Sequence, residues 1–227
     1  MQSYQNDDTH DNSAGSPINI IKSALQIAME DFWGVVLTFA FLTIPPIWAS
    51  TYLAEEDGVG VSAFLGLAAI VPQVLLTERA LLRNGLVEDL HTKRRSYTPQ
   101  AFGLSLIGGL GVLLGLLALV MPGLLLAGRW SMSLPVLIAR DQGVTEALRT
   151  SWDITDGRFW FCFLSVLCAW LPFVIGMTII VLGDGLFSIF VGDVIVESAL
   201  SISMILSWFV AVALYLEIMR QKVDLTH

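Results

Sequence analysis

The chain carries six runs of mostly apolar residues, at approximately Phe32–Tyr52, Val61–Leu82, Ala101–Val120, Leu124–Ala139, Phe159–Leu182 and Ser198–Met219. A helix rising 1.5 Å per residue needs about 20 such residues to cross a hydrocarbon core of roughly 30 Å. Inside that core every backbone N–H and C=O must find its partner within the protein, so only helices or a closed barrel will span it. A barrel needs short segments of alternating polarity, and runs such as LLGLLALV and SVLCAWLPFVIGMTIIVL do not alternate. The expected fold is therefore all-α and integral to the membrane, with six transmembrane helices. Composition agrees. Hydrophobic residues make up 55% and charged residues 14%, against about 25% charge in a soluble domain, and the mean hydropathy is +0.72. The two cysteines exclude a disulfide scaffold, and a net charge of −8 excludes a nucleic-acid binder.

The fourth run is short and contains Arg129. The last apolar tract begins near Leu186, too long for one upright span, and Asp193 and Glu197 interrupt it. Leu186–Val191 is therefore read as an interfacial or re-entrant turn, with the sixth span starting after Glu197. The basic residues set the orientation. Lys22, Arg79, Arg83, Lys93, Arg94, Arg95, Arg140, Arg149, Arg158, Arg220 and Lys222, all but Arg129 of the 12 Lys and Arg, fall on one side of a six-span arrangement. The opposite loops, 54–60, 121–123 and 183–197, hold none. The positive-inside rule then places both termini in the cytoplasm of a bacterial inner membrane protein. Residues 1–17 read as a disordered acidic tail without the charged start or apolar core of a signal peptide. Residues 18–220 form one six-helix domain and 221–227 a short tail.

Two amphipathic segments precede spans one and five. In Ile18–Glu30, Ile18, Ile21, Leu25 and Met29 line one face while Asn19, Lys22, Gln26 and Glu30 line another. Ser16 and Pro17 supply an N-cap and a first-turn proline. In Val144–Asp153, Val144, Leu148 and Trp152 make the stripe, opposite Glu146, Arg149 and Asp153. Both are expected to lie as elbows in the cytoplasmic interface. The neighbourhoods match further. Ala24-Leu25 precedes Phe32-Trp33, with Pro45 twelve residues after Trp33. Ala147-Leu148 precedes Phe159-Trp160, with Pro172 twelve after Trp160. This reads as a weak parallel repeat, although Phe-Trp pairs at interfaces and prolines in membrane helices are also individually common.

The stretch Met121–Trp160 contains a Pro122-Gly123 turn, an Arg129-Trp130 pair, Leu134–Val136 as Leu-Pro-Val, Ala147–Trp152 as Ala-Leu-Arg-Thr-Ser-Trp, and Thr155–Trp160 as Thr-Asp-Gly-Arg-Phe-Trp. In that order these features resemble the membrane domain of glycerophosphoryl diester phosphodiesterases and its stand-alone bacterial six-span relatives. Asp141 stands where the family usually has an acidic residue before the elbow. The resemblance implies an integral membrane protein. It does not carry the phosphodiesterase activity, which belongs to a separate catalytic domain, and the seven residues after Arg220 leave no room for a (β/α)8 barrel of about 250 residues.

Arg129 is the one basic residue within a predicted span. A guanidinium there must reach water, phosphate or a carboxylate. Asp193 and Glu197 flank the start of the sixth span, and the expectation is an intramembrane ion pair from Arg129 to one of them. Snorkelling to the outer headgroups, or an anion contact, is the alternative. Lys93, Arg94 and Arg95 form a basic cluster suited to anionic headgroups at about 1 kcal/mol per charge, or merely topogenic. Asp184, Asp193, Glu197, Glu55, Glu56 and Asp57 make the outer loops acidic, as a solvated surface would be. Pro45-Pro46, Pro72, Pro135 and Pro172 read as kinks, with the broken helices of a transporter cavity as the alternative, and Gly108, Gly111 and Gly115 as a close-packing face.

His10, His91 and His227 are scattered. Cys162 and Cys168 have no metal-ligand spacing, and no nucleophile elbow, P-loop or zinc signature occurs. No catalytic activity and no cofactor or metal are expected. An intramembrane enzyme could use Asp153 and Asp156, but WDITDG reads better as a helix end and turn. The function expected is a non-catalytic membrane protein with an envelope or lipid-associated support or sensing role. The alternative is a transporter or channel for a small or lipid-like solute. Polar residues within the spans are few: Thr38, Thr43, Gln73, Thr77, Ser105, Arg129, Ser131 and Ser133, with several serines in span six. Expected partners are membrane lipids, with a protein partner or a second copy of the chain left open.

Overall fold

The computed structural model describes residues 16–52, 61, 64–87, 97–118, 120–183 and 187–224. Among them the chain is all helical. The helices are α1 (Pro17–Glu30), α2 (Phe32–Tyr52), α3 (Ile70–Arg83), α4 (Thr98–Ala118), α5 (Val120–Trp130), α6 (Ser133–Arg140), α7 (Val144–Ile154), α8 (Phe159–Ala169), α9 (Leu171–Leu182) and α10 (Ile189–Asp224). Among the described residues, five stretches are long and apolar enough to cross a membrane: Phe32–Tyr52, Phe64–Arg83, Thr98–Ala118, Pro122–Arg140 and Ile189–Gln221. The pair α8 and α9 makes a sixth if its two halves, bent by 46°, count as one span. The 1–15 tail, Lys93, Arg94 and Arg95, and the outer acids Glu55, Glu56, Asp57 and Asp184 lie outside the described residues.

The last helix departs from expectation. α10 runs unbroken through Asp193 and Glu197, so Val191 is helical rather than part of a re-entrant turn. The two acids are one turn apart on a continuous helix. A helix needs only its own backbone bonds to persist, and a carboxylate near its end needs only a polar neighbour; the Ser50 hydroxyl donates to Asp193 Oδ2 at 3.1 Å. α10 is also the axis of the bundle, with 67% of its most apolar window buried, against 11% for α4. Phe209, Val210, Val212 and Leu214 on α10 are buried within the core.

α1 opens as the sequence implies. Ser16 adopts extended backbone and its hydroxyl accepts from the Asn19 N–H at 3.3 Å, with Pro17 in the first turn. Its packing differs. Ile20, Ala24 and Ile27 are the buried face, set against α8 and α10, while Ile18, Leu25 and Met29 of the expected stripe are exposed. The helix thus has two apolar faces, and the bundle takes the one with the smaller central residue. In α7 the buried residues are Ala147, Leu148, Ser151 and Ile154. Asp141 at φ 51° and Gly157 at φ 73° turn the chain into and out of it; Asp and Gly tolerate that left-handed geometry.

In lipid, helices associate through close packing and hydrogen bonds more than through the hydrophobic effect. α4 and α5 show the first. A Cβ on Gly115 would stand 2.9 Å from the backbone of Gly123, and one on Gly111 would stand 2.6 Å from the Trp130 ring. Gly111 and Gly115 of the glycine face read in the sequence form the seam of this hairpin, while a Cβ on Gly108 would meet nothing within 4 Å.

The prolines separate into two kinds. Pro45 and Pro46 sit inside an unbroken α2. Two residues before Pro45, Thr43 donates from its hydroxyl to Ser201 Oγ on α10 at 3.0 Å, both side chains being buried. Pro172 accompanies the 46° bend, because its ring carries no N–H and crowds the preceding turn. The Phe173 N–H that the bend frees donates instead to Ser203 Oγ of α10 at 3.0 Å. The two halves of the sequence repeat therefore start alike, with edge-to-face Phe-Trp pairs at 5.6 and 5.3 Å, and part at their prolines.

Ser203→Ala removes the acceptor of that backbone donor. Its expected cost is about 1 kcal/mol, read by unfolding in mixed micelles. Ser207→Ala is expected to cost less than about 0.5 kcal/mol, since its hydroxyl only shares the Met204 carbonyl of its own helix at 2.7 Å. Equal losses would remove the role assigned to Ser203.

Candidate functional site

Pro135, in the first turn of α6, has no N–H for the Ser131 carbonyl, and the chain turns at Ser131 and Met132 between α5 and α6. Three hydroxyls serve the carbonyls around this break. Ser131 donates to Gly128 O at 2.9 Å, Ser133 to Trp130 O at 2.7 Å, and Ser151 of α7 to Arg129 O at 2.8 Å. The last bond locks the end of α7 onto the end of α5. Just beyond, Thr155 donates to Ser151 O and Trp152 O, each at 2.9 Å.

This junction decides the fate of Arg129. Its guanidinium donates to Asp156 Oδ1 from both terminal nitrogens, at 3.0 and 3.1 Å, and to Trp152 O at 3.3 Å. It lies 4.9 Å from the Trp152 ring centre and 6.0 Å from that of Phe159. The ion pair expected with Asp193 or Glu197 is not formed. Asp193 instead meets Ser50, and Glu197 sits half-buried one turn further along α10. The expectation treated Arg129 as buried in a straight span with acids only at the outer end. The C-terminal end of α7 lies alongside instead, held by the Ser151 bond to the Arg129 carbonyl, and its negative dipole end faces the guanidinium. The Arg129 side chain is 15% exposed and that of Asp156 76%, so the arginine reaches from the packed junction toward a carboxylate at the surface of the bundle. In the sequence Asp156 stood out as an acid of the WDITDG turn, with nothing to mark it as the partner of Arg129.

Beside this junction the scattered polar residues of the spans converge. Three clefts share Gln73 of α3. One of about 520 Å³ lies between α3, α4, α5 and α6, and includes Ser105, Ser131 and Ser133. One of about 370 Å³ lies on the other side of α4, facing Met204 and Trp208. One of about 210 Å³ passes behind, with Thr77, Trp170 and Ser207. Five of the eight polar residues noted within the spans therefore line these neighbouring clefts. Their polar groups are neutral donors and acceptors, and their walls are Leu, Gly, Val and Trp. Ser105, Gly109 and Leu113, which border the two larger clefts, are themselves exposed, so the region opens sideways along α4. Such a lining suits the hydroxyl- or amide-bearing part of an amphipathic molecule. Among the described residues no three His, Cys, Asp or Glu side chains come together as a metal site would.

Residues 106–221 match the model of the membrane domain of glycerophosphoryl diester phosphodiesterase. The chain belongs to this family. The match runs from α4 through α10, and so contains the Arg129–Asp156 junction and the α4–α5 seam. The protein is accordingly a multi-pass membrane protein. Comparison with curated proteins and with solved structures finds no match. Within the family segment the conspicuous Arg-Trp, Leu-Pro-Val, Ala-Leu-Arg-Thr-Ser-Trp and Thr-Asp-Gly-Arg-Phe-Trp elements meet around a single helix break. Arg129, Pro135, Ser151, Trp152, Asp156 and Phe159 come from those elements in turn.

A double-mutant cycle of Arg129→Gln with Asp156→Asn is expected to show coupling of about 0.5–1 kcal/mol in bundle stability. The same cycle with Asp193→Asn should be additive. Coupling to Asp193 instead of Asp156 would contradict the junction.

Proposed function

We propose that this chain is a non-catalytic protein of a bacterial inner membrane with a lipid-associated support or sensing role. It crosses the bilayer six times, the α8–α9 pair counting as one broken span, with both termini in the cytoplasm. α1 and α7 serve as elbows in the cytoplasmic interface. The observation that carries the role is the cleft around Gln73: hydroxyls and one amide set in apolar walls, opening laterally toward α4. A molecule entering from the acyl-chain region would place a polar group on Gln73, Ser105 and Ser131 and keep its apolar part against Leu113 and Trp130. The charge-free lining disfavours a permeating ion, which needs its hydration shell replaced. The exposed stripe of Ile18, Leu25 and Met29 supports the elbow reading, since it seats α1 on acyl chains while its other face holds the bundle.

Transport of a lipid-like solute is the second reading. It is supported by the placement of two helix breaks, at Ser131 and Trp170, on the wall of the same 210 Å³ cleft. Broken helices at a midplane site are the usual moving parts of transporters.

Gly109 borders both larger clefts, and a Cβ there would meet nothing within 4 Å. Gly109→Leu should therefore fill the space without disturbing the backbone, and it improves helix propensity. In native mass spectrometry from gentle detergent, wild-type protein is expected to retain an amphipathic molecule. Gly109→Leu should lower that retention about tenfold, the factor for roughly 1.4 kcal/mol. Unchanged retention would sink the cleft as the binding site. For topology, cysteines placed at Ser188 and at Arg149, in a chain lacking Cys162 and Cys168, should react with an impermeant reagent from outside and only after permeabilisation, respectively. External labelling at Arg149 would overturn the orientation.

A further inference from the structure

Asp31 is the single residue between α1 and α2, and its two carboxylate oxygens are shared by two arginines of α3. Arg79 donates to Oδ2 at 3.3 Å and Arg83 to Oδ1 at 3.4 Å. The Asp31 side chain is 13% exposed, while those of Arg79 and Arg83 are 53% and 40% exposed. Two cations on one anion leave a net charge of +1. A guanidinium carries five N–H donors, and each arginine gives a single one of them to Asp31, so most of the donor edge faces outward. Glu30, the neighbouring acid, borders a separate small cleft with Asn84, Glu217 and Arg220.

From Arg79 a groove of about 450 Å³ runs between α2 and α3, walled by Gly34, Leu37 and Phe41 on one side and Val71 and Leu75 on the other. Leu37, Val71 and Leu75 are 69%, 45% and 46% exposed. From Val71 to Arg79 the slot is about 12 Å long at 1.5 Å per residue. That is most of the roughly 15 Å depth of one leaflet of a 30 Å core. The cationic end lies beside Asp31, where α1 with its exposed stripe joins the first span, which is the level expected for headgroups. A soluble anion would use the arginines and leave the slot unexplained. A neutral lipid would use the slot and leave the surplus charge unexplained.

The geometry points to a binding site for an anionic phospholipid, with an acyl chain in the α2–α3 groove and its phosphate on Arg79 and Arg83. Guanidinium forks match phosphate oxygens in charge and shape, and Asp31 holds both forks toward the same point. The site lies outside the matched family segment and is separate from the Gln73 cleft. It thus stands or falls independently of the function proposed above.

The test uses the full chain carrying Gly109→Leu, so that the central cleft is filled, titrated with phosphatidylglycerol and with phosphatidylcholine of the same acyl chains and followed by native mass spectrometry. Phosphatidylglycerol is expected to bind about tenfold more tightly. Arg79→Gln with Arg83→Gln should bring the two lipids to within about twofold of each other. Leu75→Trp leaves the ion pairs in place and plugs the slot, and it should weaken both lipids severalfold, so it decides the matter even if the arginine variant unfolds. Inorganic phosphate in excess should not displace the lipid. Equal binding of the two lipids by the Gly109→Leu chain, retention unaffected by Leu75→Trp, or displacement by inorganic phosphate would each overturn the site.

Discussion

Within a bilayer, a helix that breaks exposes backbone groups that water cannot serve, and each one left alone costs several kcal/mol. The architecture of this protein follows from how its breaks are closed. Pro135 and Pro172 each end one helical segment and begin another, and hydroxyl side chains stand at both places. At the first break Ser131, Ser133 and Ser151 donate to carbonyls of α5. At the second Ser203 accepts the Phe173 N–H. Two of these four serines belong to other elements, α7 and α10. Satisfying the breaks therefore also ties those elements together, and local backbone chemistry becomes tertiary structure.

The same logic places the charges. Arg129 lies at the first break, and the helix end that Ser151 holds against it supplies a carbonyl, an aromatic face and Asp156. At the α1–α2 joint Asp31 meets Arg79 and Arg83 of α3, and Arg158, at the start of α8, donates to Gln221 near the end of α10. None of these pairs sits in the middle of a packed core. Their stabilisation is modest, and what they contribute is register: they fix which turn of one helix faces which turn of another.

The family segment begins within α4 and ends within α10, so it contains both breaks and the serines that close them. α1 to α3 lie outside it and complete the bundle by packing on α10 and α8. Gln73 belongs to that outer set, yet it borders all three clefts. The cleft is thus a joint product of the family segment and the helices that precede it.

The sequence by itself determined the class, most of the spans and the existence of α1 and α7. Apolar length, a proline after a serine cap and helical periodicity are local properties that the bilayer enforces without reference to the rest of the chain. It also marked the α4–α5 seam, because glycines at helical spacing have few other uses in lipid. Tertiary structure alone decided three things. α1 buries Ile20, Ala24 and Ile27 and exposes Ile18, Leu25 and Met29 because both faces are apolar and only the shape of α8 and α10 selects between them. α10 stays helical past Asp193 and Glu197, and its packing on α2 sets Ser50, 143 residues away in sequence, against the first of those carboxylates. Arg129 pairs with Asp156 because the Ser151 bond to the Arg129 carbonyl holds the end of α7 at its side. In each case the deciding partner is distant in sequence, and its position is set by a packing choice or a helix break that no pattern of residue types records.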